Sequence, residues 1–106
     1  MVKTVGETVY KYTLRNGAFF VHEGVIMEQG TRKCVYFEDK KSKARLPKDD
    51  EFGIVHADGP SLWLTDRDDE LAKHIFIEYE ENSIAELQEL INRKTKLINV
   101  LKRLAD

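Results

Sequence analysis

The chain has little that would staple, span or catalyse. Its single cysteine, Cys34, excludes an internal disulfide, and only two prolines and six glycines interrupt its 106 residues. No run of about 18 apolar residues is present, so no membrane-spanning helix is expected. The opening MVKTVGETVY lacks an apolar h-region, so no secretory signal is expected. With a lone cysteine, this points to a cytoplasmic protein. No P-loop, GxGxxG, HExxH, GxSxG or CxxC motif occurs. The expectation is therefore a non-enzymatic protein with no catalytic residues, no cofactor and no metal.

What is present is charge. Charged residues make up 34% and apolar residues 42% of the chain, as suits one globular domain with a wet surface. The net charge of −2 hides an uneven distribution. Residues 1–50 carry +3, residues 51–82 carry −7 and residues 83–106 carry +2. Such asymmetry bears on partners rather than on fold.

The first half reads as strands. In VYKYTLRNGAFFVHEG, Asn16-Gly17 suits a two-residue type I′ turn, which requires positive φ at both positions. That turn sets Leu14 opposite Phe19 and Tyr12 opposite Val21. These four side chains share one face, and Lys11, Thr13, Phe20 and His22 share the other. Gly24 is expected to mark a bulge. QGTR turns the chain into a third strand, CVYFE, and DKKSKARLPKDDE reads as a polar loop. FGIVHA and SLWLT then flank a second turn at Asp58-Gly59, with Ile54 opposite Trp63 and Val55 opposite Leu62; Pro60 is tolerated just past that turn.

The last forty residues switch to helical period. Thr65 with Asp68 and Ser83 with Glu86 resemble capping boxes, which predicts helices over 67–81 and 84–104. The expected architecture is α+β: an antiparallel β-meander of four to five strands (5–65) packed by one or two C-terminal helices (66–104), in a single domain over 1–106.

Three surfaces are candidates. The first lies in DRDDELAKHIFIEYEE. On one helix, Leu71, Ala72, Ile75, Phe76 and Tyr79 share a side, with Glu70, Lys73, His74, Ile77 and Glu81 opposite. Acids near a helix start also oppose its dipole, which explains part of the cluster without any partner. The rest offers a docking face for a host protein: Asp66, Asp68, Asp69, Glu70, Ile77, Glu78 and Glu81. Reversing Asp69 and Glu70 to Lys is expected to abolish capture and leave the fold intact. A calcium loop is not matched, because Leu71 and Ile77 stand where glycine and glutamate are needed. Glu70, His74 and Glu78 are too few ligands for a transition metal.

The second surface, an alternative, is nucleic-acid binding by Lys40, Lys41, Lys43, Arg45 and Lys48, near Tyr36 and Phe37. No RNA-recognition motif accompanies it. The third, also an alternative, is a homodimer through Leu87, Leu90, Lys94, Leu97 and Leu101, joined by Leu104 in heptad spacing. Lys94 lies mid-stripe, where a buried ammonium must reach water or a carboxylate. Otherwise this helix covers the sheet. His22, His56 and His74 lie on different elements, and a lone strand cysteine is most often packed.

The strand-rich VYKYTLRNG, the acidic DRDDELAKHIFIEYEE and the short leucine-rich tail together resemble small accessory proteins of bacterial phages and mobile elements. That resemblance implies a non-enzymatic protein that binds and modulates a host machine, a class that includes anti-CRISPR inhibitors of host defence. It assigns no residue a role.

Overall fold

The computed structural model describes residues 4–57 and 59–105. Among the described residues the fold is α+β, with six antiparallel strands and one C-terminal helix. The strands are β1 (Thr8–Arg15), β2 (Ala18–Gln29), β3 (Arg32–Phe37), β4 (Ser42–Arg45), β5 (Val55–His56) and β6 (Ser61–Leu64). The helix α1 is Asp69–Ala105. The chain divides into two compact units, one ending at Ile75 and one starting at Phe76.

In the first unit the sheet order is β4-β3-β2-β1-β6-β5. Strands β1 to β4 form the expected meander, and the β5–β6 hairpin returns to the free side of β1. Asn16 and Gly17 have φ of 52° and 76°, as a type I′ turn demands. The predicted register follows, with Leu14 paired to Phe19 and Tyr12 to Val21. Val55 pairs with Leu62 as expected. Ile54 does not reach Trp63, because the strand ends at Val55 and the Trp63 carbonyl instead accepts the Gly53 N–H at 2.9 Å. Asp58 of the second turn lies outside the described residues.

The segment read as a polar loop is more ordered than its composition suggests. It contains β4, paired to β3, and a 3₁₀ turn at Asp49–Glu51. Strand pairing supplies the backbone partners that a loop would leave to water. From β4 at one edge the chain passes to β5 at the other, and Leu46 and Phe52 pack on the buried cluster of Val9, Ile26, Val35, Phe37 and Trp63. This cluster lies on the face of Lys11 and Thr13 and not on the face of Tyr12, Leu14, Phe19 and Val21. Alternation sets the register correctly, yet a core cluster also forms on the other side. The crossing segment covers it there.

Gly24 makes no bulge, since the ladder runs unbroken from Thr8–Val25 to Arg15–Ala18. Its role is steric. A Cβ at this position would stand 2.3 Å from Val35 Cγ1 and 2.9 Å from Phe37 Cε1, so the missing side chain is the space those two fill.

The Tyr12 face buries Tyr12, Leu62 and Leu64. It also carries the start of α1, where Ala72 is fully buried. The helix cap is Asp68, whose Oδ1 accepts the Leu71 N–H at 3.0 Å; the Thr65–Asp68 box is not the start. Leu71, expected inward, is exposed, while Ile75 is half-buried.

The second unit is helix throughout its described length, residues 76–105. One helix replaces the two predicted, and Ser83 lies inside it rather than capping a second. No glycine or proline lies between 69 and 105 to break it. Glu89 and Arg93 pair at 2.7 Å one turn apart, which adds a little helix support. The leucines expected to turn inward do not do so: Leu87, Leu90, Leu97, Leu101 and Leu104 are all exposed.

Candidate functional site

The acid cluster resolves into two kinds of carboxylate. Asp68 caps the helix. Asp69 accepts the Tyr12 phenol at 2.8 Å, and the same phenol accepts the Asp68 N–H at 3.0 Å. Hydrogen bonds from Tyr12 first and Arg67 second hold Asp69 below the ordinary carboxylate range. Burial first, then the bond to Asp69, pushes the Tyr12 phenol up. These two acids serve the fold, so reversing Asp69 would break a part-buried link to the sheet rather than test a surface. Asp66 and Glu70 are exposed, and Glu70 meets Lys73 at 3.2 Å. In the helical unit Ile77, Glu78 and Glu81 are exposed. Among the described residues no group of three or more His, Cys, Asp or Glu side chains could hold a metal ion.

The five cations of the predicted basic loop do not form one patch. Lys43 and Arg45 lie on β4 and line a shallow groove with Arg32, Lys33 and Cys34. Arg45 is engaged twice by Glu51, at 2.9 and 3.1 Å, which holds Glu51 at a pKa of about 2. Lys41 sits in the β3–β4 turn with φ of 48°, and Lys48 precedes the 3₁₀ turn; both are exposed.

Lys40 goes elsewhere. It joins Lys11, Thr13, Arg15, Phe20 and His22 around a depression on the sheet. Its ammonium stands 4.7 Å from the Phe37 ring centre, and that of Lys11 stands 5.5 Å from Trp63. Phe20 is exposed and stacks on His22 at 6.5 Å between centroids. His22 Nδ1 lies 2.6 Å from Asp39 Oδ2. Burial first, then Lys40 and Arg15, holds the Lys11 ammonium below its ordinary pKa. This group of cations and flat rings spans four strands, β1, β2, β3 and β6, and a turn. The common face of Lys11, Phe20 and His22 was legible in the hairpin register, whereas the arrival of Lys40 was not.

Cys34 is buried, and by strand alternation it points to the opposite face from His22 and His56. The His56 ring nitrogen Nε2 instead contacts the Glu51 carbonyl at 3.0 Å.

Among the described residues, most of the exposed large apolar side chains lie in the helical unit. Ile77, Ile84, Leu87, Leu90, Ile91, Leu97, Ile98, Leu101 and Leu104 are exposed, by 45 to 77%. At 100° per residue they cover one side of the helix over about 180°, and at the 3.5-residue period of a supercoiled pair the same residues close to about 100°. Lys94 lies on its centre line. No helix among the described residues is long and apolar enough to cross a membrane, so this stripe is not a span. Comparison with protein-family models, curated proteins and solved structures finds no match to this chain.

Proposed function

We propose that the chain is a non-enzymatic interaction protein whose docking element is the helix segment 77–104. The observation that carries this is the stripe of nine exposed large apolar side chains on a helix whose other faces are mostly polar, Val100 being the exception. Contiguous apolar surface of that kind marks association sites, whereas single exposed leucines do not. Glu81 borders its first half, Glu78 stands on the same turn, and their charge would steer a basic partner surface toward it. This is the mode of action expected of an accessory protein that modulates a host machine by binding it, as anti-CRISPR inhibitors do.

The test compares the protein with its Leu87→Ser/Leu101→Ser variant by cross-linking and immobilised capture. Both positions are exposed, so the strand pattern in circular dichroism should persist while association is lost. Association undiminished in the variant would reject the helix as the docking element. A companion variant, Glu78→Lys/Glu81→Lys, should slow capture more at low salt than at high salt.

A second reading rests on a separate observation, the cation and aromatic cluster of Lys11, Arg15, Phe20, His22 and Lys40. Exposed rings beside cations on a sheet are the means by which single-stranded nucleic acids are held, through stacking and phosphate neutralisation. Fluorescence anisotropy with a labelled oligonucleotide across a salt series tests it. Binding should weaken steeply with salt, and Lys11→Gln/Lys40→Gln should reduce the slope by about 1.4. No anisotropy change at low salt would remove this reading.

A further inference from the structure

The charge of the helical unit is segregated along its axis. Between Ile77 and Ile91 there are five acids, Glu78, Glu80, Glu81, Glu86 and Glu89, and no base. Between Asn92 and Ala105 there are five bases, Arg93, Lys94, Lys96, Lys102 and Arg103, and no acid. Complementing the helix dipole explains only a first or last turn of such bias, because that effect fades beyond the end turns. Here the division runs through some four turns on each side of Ile91. It coincides with the stripe, which is uncovered from Ile77 to Leu104.

The stripe also has a heptad grammar. Ile77, Ile84, Ile91 and Ile98 recur every seven residues, and Glu80, Leu87, Lys94 and Leu101 recur three places later. Leu90, Leu97 and Leu104 form a third column beside them. β-Branched residues at one seam position and leucine at the other are what parallel two-stranded packing selects, so the pattern speaks for a seam of this kind and leaves its direction to the charges.

We infer that the stripe is occupied by the same stripe of a second copy, running antiparallel. The inference rests on the proposed reading of this helix as the docking element and names its partner. In a parallel pair each seam layer meets its own kind. Glu80 would face Glu80 and Lys94 would face Lys94, with five acids beside five acids and five bases beside five bases. Like charges in a desolvated seam are costly. Turning one helix round reverses every one of these contacts. The acidic half of each copy then lies along the basic half of the other. Ile84 meets Leu101, Leu87 meets Ile98, and Lys94 meets Ile91, with its ammonium free to reach past the seam to water. On the flank, Glu81 meets Lys102. A helix of this length is about 40 Å long, enough for four seam layers on each side of the twofold. Lys94 is the one apolar-to-cation exchange in the basic half of the seam, and it limits affinity while fixing register, as single polar seam residues do.

Three measurements test it on the full chain. Sedimentation velocity should give a dimer that falls to a monomer in Leu87→Ser/Leu101→Ser. Lys94→Leu should tighten the dimer by at least about tenfold. In a Cys34→Ser background, mixed Glu81→Cys and Lys102→Cys chains should form the mixed disulfide in preference to either like pair. A chain that stays monomeric at high concentration overturns the inference, and so does preferential like-with-like cross-linking. Either result leaves the docking reading standing if Leu87→Ser/Leu101→Ser still loses a different partner. If that variant loses no association of any kind, the docking reading fails as well.

Discussion

Tyr12 and Asp69 lock the middle of the sheet to the first turn of the helix. The fully buried phenol donates to the Asp69 carboxylate at 2.8 Å and accepts the neighbouring Asp68 N–H at 3.0 Å. One side chain therefore satisfies an acid and an orphan helix-end donor together.

Tyr12→Phe removes both bonds without changing the packing volume. The expected loss is about 1–3 kcal/mol of unfolding free energy by urea titration at pH 7. Asp69 is held below its ordinary value of 3.8, so its contribution is complete above that pH and lost as pH falls through the folded value. The gap between the protein and Tyr12→Phe should narrow below about pH 4. A gap that widens on acidification would show that Asp69 is not the acceptor that matters.

Gly24→Ala places a methyl group where Val35 and Phe37 already stand. Overpacking of this kind costs about 1–3 kcal/mol. The Val35→Ala change, damaging alone, should offset part of the loss in the double variant, and a thermal-melt double-mutant cycle would show the coupling. Strict additivity would mean that the clash is relieved by some other movement.

Glu51 should titrate near pH 2 when followed by carboxyl carbon NMR. Its bonds to Arg45 and to the Lys48 N–H are the first two causes. Because its folded value lies below the ordinary 4.5, the order it lends to the crossing segment is full above that pH and fades toward about 2. Arg45→Met should move the midpoint up toward the ordinary value. An unmoved midpoint would assign the shift to the backbone donor instead.

Cys34 is 6% exposed. Its reaction with a disulfide reagent in the folded protein should be at least about tenfold slower than in urea, since access requires local opening. Equal rates in the two conditions would place the thiol outside the packed sheet.

Much of the strand unit was legible because turn chemistry and alternation are local. Asn16-Gly17 dictates a turn type, and the turn dictates which residues face one another. The choice of core face was not legible, because it depends on where Leu46 and Phe52 go after β4, a long-range matter. The short β4 was hidden by its composition: Ser42, Lys43 and Arg45 carry no strand signal, and pairing to β3 supplies it. In the helix, Asn82-Ser83 resembles a boundary, yet neither residue is a breaker, and continuous helical hydrogen bonding outweighs a cap. The exposure of the leucines was invisible for a related reason. Periodicity reveals that a stripe exists but not what covers it. Of the proposed contacts, Asp68 and Asp69 were recognisable as helix-start residues, while Tyr12 as their partner lies more than fifty residues away in sequence.

The sheet ends on short strands, four residues in β4 and two in β5, with the longest pairing between β1 and β2 in the middle. Lys43 and Arg45 sit on the first of these borders. A stray extended peptide finds too few open amides there to zip onto, and charge where it tries. Fibril growth by lateral strand addition is therefore starved of a template, and crowding this protein should drive orderly helical pairing well before any β-type precipitate.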